Sequence, residues 1–492
     1  MHSAAIAACC LMAAAFVRPM ERVSTMDPVK AQSVYDSHAV QLVYETPLEV
    51  DYEARPYRLV PGYCALPEVC DGGRKYVFKT LHGPAEPMVA SLLRLRDPAE
   101  ASPNAWMMKG VESVRAADSG TVEIRLAERA HYFPWLMAMA PAAVVGKDGE
   151  GTGPFRLAAW RKNHEMVFVR RQPASGAFDE VRYLVVDDTT TQWLMFLKGE
   201  VDMLGEIPRD NWDSAVGPDG RLVPELAARG VRLHSVPSLN VMYVGINMKD
   251  PVLGPNRRLR QALNAAFDYP AWERFNCGRI RIGDGPVPPG VGGRLETPFP
   301  YRYDPELARR LLVEAGYPAG IDPKTGRRLT LTLTIGRPTQ ESREAGDLMA
   351  SFYDRVGIRL EQQFLTWDAF MRAVNDGRAQ MFRIGWVADY PDAQNFLQLF
   401  HSRNARPGPN RSGYASADFD REYDAAMDAA TEEERNAHWR RCQEIVREDC
   451  PWIFTHFGTD YSLSRTRVGN YIPSAFPYGQ ERHYMVQEGR CR

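Results

Sequence analysis

Strand-like and helix-like segments alternate along nearly the whole 492-residue chain. Tyr76–Leu81, Gly120–Leu126, Met166–Arg170, Val181–Val186, Met242–Ile246, Leu329–Ile335, Gly357–Leu360 and Ala379–Gly385 carry the strand pattern. Met88–Arg96, Thr189–Lys198, Arg258–Tyr269, Asp304–Ala315, Ser342–Arg355 and most of Asp418–Glu448 carry the helical one. Gly199 and Gly316 stand where a helix normally stops. Alternation of this kind in both halves predicts a mixed α/β protein. The length suggests about three structural units.

Charge and motif content exclude several function classes. The chain has 60 basic and 62 acidic residues, a net charge of −2. A nucleic-acid clamp needs surplus cations to neutralise phosphates, so no nucleic-acid partner is expected. With 45% apolar and 25% charged residues the chain is neither disordered nor a polytopic membrane protein. No G-x-S-x-G, H-E-x-x-H, P-loop or dinucleotide fingerprint is present. Catalytic residues, cofactors and metals are therefore not expected. His438 and Cys442 would share a helix face with Cys450 and His456 beyond, but the spacing fits no standard zinc pattern. With Trp439, Ile445 and Val446 they read as a core-facing stripe.

The N-terminus suggests export. Ala4–Val17 is uncharged and apolar, too short to span a bilayer but suited to the hydrophobic part of a secretory signal. Residues 1–26 read as a signal-like segment. Ile6-Ala7-Ala8-Cys9 resembles a lipobox, making Cys9 a candidate lipid anchor. The expected location is periplasmic, or extracytoplasmic and peripheral to the membrane. Cys64, Cys70, Cys277, Cys442, Cys450 and Cys491 remain after the signal. Cys64 could pair with Cys70; the rest of the connectivity stays open.

Six segments in fixed order carry a resemblance. They are Leu59-Val60-Pro61 with Asp71-Gly72-Gly73-Arg74-Lys75-Tyr76-Val77-Phe78-Lys79, then Gly151-Thr152-Gly153-Pro154-Phe155-Arg156-Leu157 with Trp160, and Leu197-Lys198-Gly199-Glu200-Val201-Asp202. Tyr243-Val244-Gly245-Ile246-Asn247 follows, with Leu259–Asp268. Last come Tyr303-Asp304-Pro305-Glu306-Leu307-Ala308 with Ala315-Gly316-Tyr317, and Gly385-Trp386-Val387-Ala388-Asp389-Tyr390-Pro391-Asp392. Together they resemble the peptide-binding family (family 5) of ABC-transporter solute-binding proteins, the dipeptide, oligopeptide and nickel group.

The resemblance implies a two-lobe periplasmic-binding-protein clamp (type II, cluster C) with an extra subdomain. Lobe one is expected at 27–243, with the subdomain at about 47–150 and a return at 463–492. Lobe two is expected at 244–462. Val241–Ile246 and Asp460–Leu463 are hinge candidates. The implied role is capture of di- or oligopeptides for a membrane permease and its ATPases, by a monomer. The same clamp could serve a nickel chelate, haem, an oligosaccharide or an opine, or a signalling or scaffold role.

A guest's ammonium in a closed cleft needs a carboxylate partner. Asp389 matches the family position that receives the peptide amine, with Trp386 and Tyr390 beside it to exclude water. Arg337, before Pro338, matches the arginine that grips the peptide carboxylate, for which a guanidinium is suited. Tyr243, Asn247 and Tyr414 are further cleft candidates.

Overall fold

The computed structural model describes residues 14–406 and 408–487. It begins with strand β1 (Ala15–Met20) and helix α1 (Val34–Val43), whose start is fixed by a reciprocal Ser33–Asp36 capping box. A four-stranded antiparallel subdomain sheet follows. Its strands β2 (Glu68–Cys70), β3 (Lys75–Lys79), β4 (Val111–Asp118) and β5 (Thr121–Leu126) lie in the order β2-β3-β5-β4. Helix α2 (Ala85–Arg96) covers it and buries Met88, Leu92 and Leu95.

The chain then returns with β6 (Phe155–Arg161), β7 (Glu165–Arg170) and β8 (Glu180–Val185). These join β1 in a sheet of order β1-β8-β7-β6. Asp188 caps the next helix, α3 (Thr189–Lys198), and Gly199 ends it in the left-handed conformation at φ 82°.

The two halves meet at β9 (Val231–Pro237) and β10 (Asn240–Ile246). The second half contributes α4 (Arg257–Ala266), β11 (Thr330–Gly336), α5 (Gln340–Asp354), β12 (Arg359–Leu365) and β13 (Met381–Val387). Short helix α6 (Ala393–Leu397) and long helices α7 (Ala417–Asp428) and α8 (Glu432–Asp449) follow. The 14-residue strand β14 (Trp452–Arg465) then runs back across both halves. Its first part pairs with β10, from Trp452↔Gly245 to His456↔Met242. Its second part pairs with β9, from Thr459↔Pro237 to Arg465↔Val231. On the far side β10 continues to β13, β11 and β12. The largest core lies here, around Trp272, Phe352 and Trp452.

Several expectations are corrected. The signal-like segment was drawn to residue 26, but β1 pairs in parallel register with β8 from Ala15↔Glu180 to Met20↔Val185. Phe16 is fully buried against Phe178 and Tyr484, and Asp202 accepts the Val17 N–H at 2.9 Å. The folded body therefore starts before residue 26. Cys9 and the rest of residues 1–13 lie outside the described residues, as does Cys491. The five described cysteines are all free; Cys64 packs its sulfur 3.5 Å from that of Met88 rather than bridging Cys70. β9 and β10 pair with successive parts of β14, with Ser238 and Leu239 between them.

Buried charges staple the C-terminal return to the first sheet. Arg18 on β1 donates to Glu481 Oε1 at 2.8 Å, and His38 Nδ1 on α1 lies 3.0 Å from the same oxygen. Burial pushes the Glu481 carboxyl up, but His38 and Arg18 outweigh it and hold it down at about 2. His38 is itself pushed down by burial, which leaves Arg18 as the standing counter-ion. Glu481→Gln should cost about 3–5 kcal/mol at neutral pH, because it strands a buried guanidinium. The folded carboxyl titrates below its ordinary 4.5. Its contribution is therefore full above that pH and lost as pH falls towards 2. Urea unfolding of both proteins across this range should show the difference closing; a constant difference would refute the assignment.

Candidate functional site

Where β13 ends, the chain makes a tight loop before α6. Asp392 caps α6 by accepting the Gln394 N–H at 2.8 Å, which releases Asp389 from any capping duty. Asn395, on α6, reaches back into the loop. It accepts the Trp386 indole N–H at 2.8 Å and offers its amide to Asp389 Oδ2 at 3.5 Å. Trp386 thus orients the asparagine that steadies Asp389. Tyr390 donates its hydroxyl to Gln394 Oε1 at 2.7 Å, and Gln394 donates to the Tyr423 hydroxyl at 2.9 Å.

The loop forms one wall of a cavity of about 380 Å³. The other walls come from the start of α1, from Thr46–Tyr52, from Asn104, Trp106 and Trp135–Pro141, and from Phe476–Arg482. Both halves of the chain therefore line it. The Asp389 side chain is open to solvent inside this space while protein surrounds it on most sides. That environment raises its pKa through desolvation, against the opposing hydrogen bond from Asn395. Among the described residues no cation lies within ion-pair distance of Asp389.

The opposite wall is different. Glu49 and Arg482 form a 3.0 Å ion pair, with the arginine side chain 4% exposed. Tyr52 donates its hydroxyl to the Tyr478 carbonyl at 3.2 Å. Tyr478 is pushed up to about 12 by burial and by the neighbouring carboxylates of Asp460 and Asp389. Contacts across the halves flank the loop: Tyr390 stacks on Tyr132 with centroids 5.3 Å apart, and His131 Nε2 lies 3.4 Å from Asp392 Oδ1. Burial pushes Asp392 up, but His131 outweighs it and the carboxyl ends below its ordinary value.

Of the residues singled out from sequence, Asp389 and Tyr390 line the cavity, and Trp386 supports them from behind. Arg337 does not reach it. Its backbone sits in the left-handed region at φ 64°, its N–H donates to Leu365 O at 3.1 Å, and its guanidinium lies over the Trp367 ring at 5.6 Å. Tyr243 points from β10 into the core, 1% exposed and stacked on Trp452. Asn247 donates to Gly377 O and accepts from Arg406, both at 2.9 Å, so it pins a loop. Tyr414 donates its hydroxyl to Asp449 at 2.6 Å. These three make contacts within the second half and do not line this cavity. His438 pairs with Glu422 at 2.8 Å, and His456 accepts the Trp272 indole N–H at 3.1 Å.

Sequence reading missed Glu49, Tyr52, Trp106, Trp135, Tyr478 and Arg482. They come from distant segments, 426 residues apart in the Tyr52–Tyr478 contact, and share no local motif. The one available signal was the charged and aromatic run Tyr478-Gly479-Gln480-Glu481-Arg482 in the return segment. The position of Asp389 yields a test. Asn395→Ala should raise the Asp389 pKa further, since it removes the one hydrogen bond that favours the ionised form. A carbon-13 carboxyl titration would show this; an unchanged Asp389 midpoint would exclude the contact.

Comparison with known proteins places this geometry. A family model described as "Bacterial extracellular solute-binding proteins, family 5 Middle" matches residues 84–407. The glutathione-binding protein GsiB of Escherichia coli K12 is 26% identical over 467 residues, 87% of this chain and 86% of the relative. Heme-binding protein A of Haemophilus influenzae is 24% identical over 347 residues, 68% of this chain; the match spans 59% of that relative's length. The Helicobacter pylori binding protein DppA, solved with the peptide STSA, superposes with a TM-score of 0.72 at 20% identity, covering 96% of this chain and 98% of DppA.

Proposed function

The chain belongs to the family 5 bacterial extracellular solute-binding proteins, ligand-binding components of ABC importers, and we propose that its cargo is a peptide held by its free amino end. The observation that carries this reading is the Asp389 carboxylate, set in a cavity wall with no cation of its own. Removing a carboxylate from water without a counter-charge is costly. A guest's ammonium supplies that charge, and a guest that fills the space around the carboxylate displaces the water beside it and strengthens the pair. Trp386 and Asn395 hold the carboxylate ready, so little ordering is needed when the guest arrives.

The cavity is built by both halves of the chain, so a guest that touches both favours the arrangement in which they close on it. At about 380 Å³ it lies at the small end of ligand sites, which suits a short peptide or one end of a longer one. The names of the glutathione-binding relative and the peptide-bound structural neighbour agree with such a cargo. The role we assign is capture and delivery rather than chemistry, by an extracytoplasmic monomer serving a permease and its ATPases. No described helix is long and apolar enough to cross a membrane.

Isothermal titration with a free-amine peptide tests the reading. Asp389→Asn should weaken binding by about 2–5 kcal/mol, from roughly 30-fold to a few thousand-fold. Arg337→Ala should change it by less than about twofold, since that side chain lies over Trp367 (~0.4 kcal/mol). Affinity should also fall with pH, because protonating Asp389 removes the ammonium's partner. The raised pKa starts that loss above the ordinary carboxylate value of 3.8, and Asp389→Asn should abolish it. Unchanged affinity in a folded Asp389→Asn protein would end the proposal.

A further inference from the structure

The charges and apolar groups around the cavity narrow the guest further, granted the reading above that this cavity is the cargo site. The ionisable side chains that line it, apart from the phenols, are Glu49, Asp389 and Arg482. The three phenols Tyr52, Tyr390 and Tyr478 are all pushed up by burial and carry no charge at neutral pH. Glu49 and Arg482 neutralise each other at 3.0 Å. His483 Nε2 lies 3.9 Å from the other Glu49 oxygen, but burial pushes it down to about 4, so it adds no charge. Behind this wall Arg18 and Glu481 also cancel, and His38 is held neutral by burial. Asp460, on the crossing strand beside Tyr478, is held only by the Ser238 hydroxyl at 2.6 Å. The balance is negative, with Asp389 as the unmatched group.

The cavity also has an apolar rim. Val34 is 48% exposed, Trp106 44% and Val387 72%, and all three line the same space from both halves. The arginine expected to take a peptide's carboxylate, Arg337, sits elsewhere over Trp367. Among the described lining residues, the one guanidinium is already engaged by Glu49.

We infer that the part of the guest lodged here is an ammonium flanked by an apolar side chain, and that a free carboxylate within the cavity is rejected. The preferred class is thus an amino-terminal apolar residue whose acid end is amidated or lies outside the cavity, not a free dipeptide. A carboxylate brought in would face Asp389 with no free cation to receive it, and like charges held close together repel.

Calorimetry on the full chain with three matched probes tests this: Leu-Phe amide, the free acid Leu-Phe, and N-acetyl-Leu-Phe amide. The amide should bind at least about tenfold more tightly than the free acid, and acetylation should abolish binding. Glu49→Gln keeps an oxygen for Arg482 but removes the charge that occupies it. In that variant the gap between amide and acid should narrow or reverse. A free acid that binds as tightly as the amide, or a gap that Glu49→Gln leaves unchanged, overturns the inference while leaving the amine-binding reading intact. An acetylated probe that binds as well as the amide overturns both, as does the absence of binding by all three.

Discussion

One strand holds the molecule together as a clamp. Backbone N–H and C=O groups buried in a fold must be paired, and β14 meets that requirement twice, with β10 in one half and β9 in the other. Between the two pairings lies a short stretch where Gly458 donates to the Asn240 side chain at 2.8 Å and Ser238 donates its N–H to Gly458 O at 3.0 Å. A Cβ at Gly458 would stand 2.8 Å from the Asn240 amide and 2.9 Å from the Ser238 hydroxyl, so a larger residue would displace the side chains that hold the crossing. The cavity opens beside this crossing, and its charge pattern follows from where the crossing puts each half.

That pattern separates structural charges from the site. Some charged groups of the body have ionic partners, Arg18 with Glu481, Arg482 with Glu49 and His131 with Asp392, and others are met by several neutral groups, as Asp36 is by Ser24, Gln32 and Ser33. Asp389 and Asp460 are held only by neutral donors, Asn395 and Ser238, and desolvation raises both. With one neutral donor each and a raised pKa, these two carboxyls are less satisfied than Asp36, whose several donors lower its pKa. Perturbed groups of this kind cluster at functional sites. Their shared neighbour Tyr478, pushed up by both, lines the space where that demand would be met.

Much of the fold was legible because its signals are local. Helix α3 could be placed from Thr189 to Gly199, and the strands at Val181, Leu329 and Ala379 appear within two residues of their expected starts, because capping, glycine stops and alternation act over a few residues. The N-terminal apolar run was not decidable in this way. A short apolar stretch reads alike as a signal core or a buried strand; its described end, Ala15–Val17, lies in a strand whose partner, Glu180–Val185, is far away in sequence. The site divides along the same line. Asp389 and Tyr390 were readable because one short segment carries loop, cap and helix start. Where Tyr243 points was not readable: its side of β10 faces Trp452, which depends on the parity of a strand that sequence fixes only loosely. The place of Arg337, over Trp367 after a backbone at positive φ, was not readable either.

The loop that carries Asp389 is also where the halves touch, and this ties recognition to closure. Tyr390, next in sequence, lies flat on Tyr132 of the subdomain, and Asp392 meets His131 beside it. Any rotation about the crossing strands must slide or break these contacts, and so must move the carboxylate relative to Trp106 and Tyr478 on the other wall. A guest bound to Asp389 alone would gain the charge pair in any arrangement and would shift nothing. Only a guest that also presses on the far wall distinguishes one arrangement from another, because a ligand moves an equilibrium by no more than its difference in affinity for the two states. The apolar rim contributed by Val34 and Trp106 on one side and Val387 on the other supplies that difference. On the proposed reading, the carboxylate selects which end of the guest is held, and the apolar surface beside it biases whether the clamp shuts.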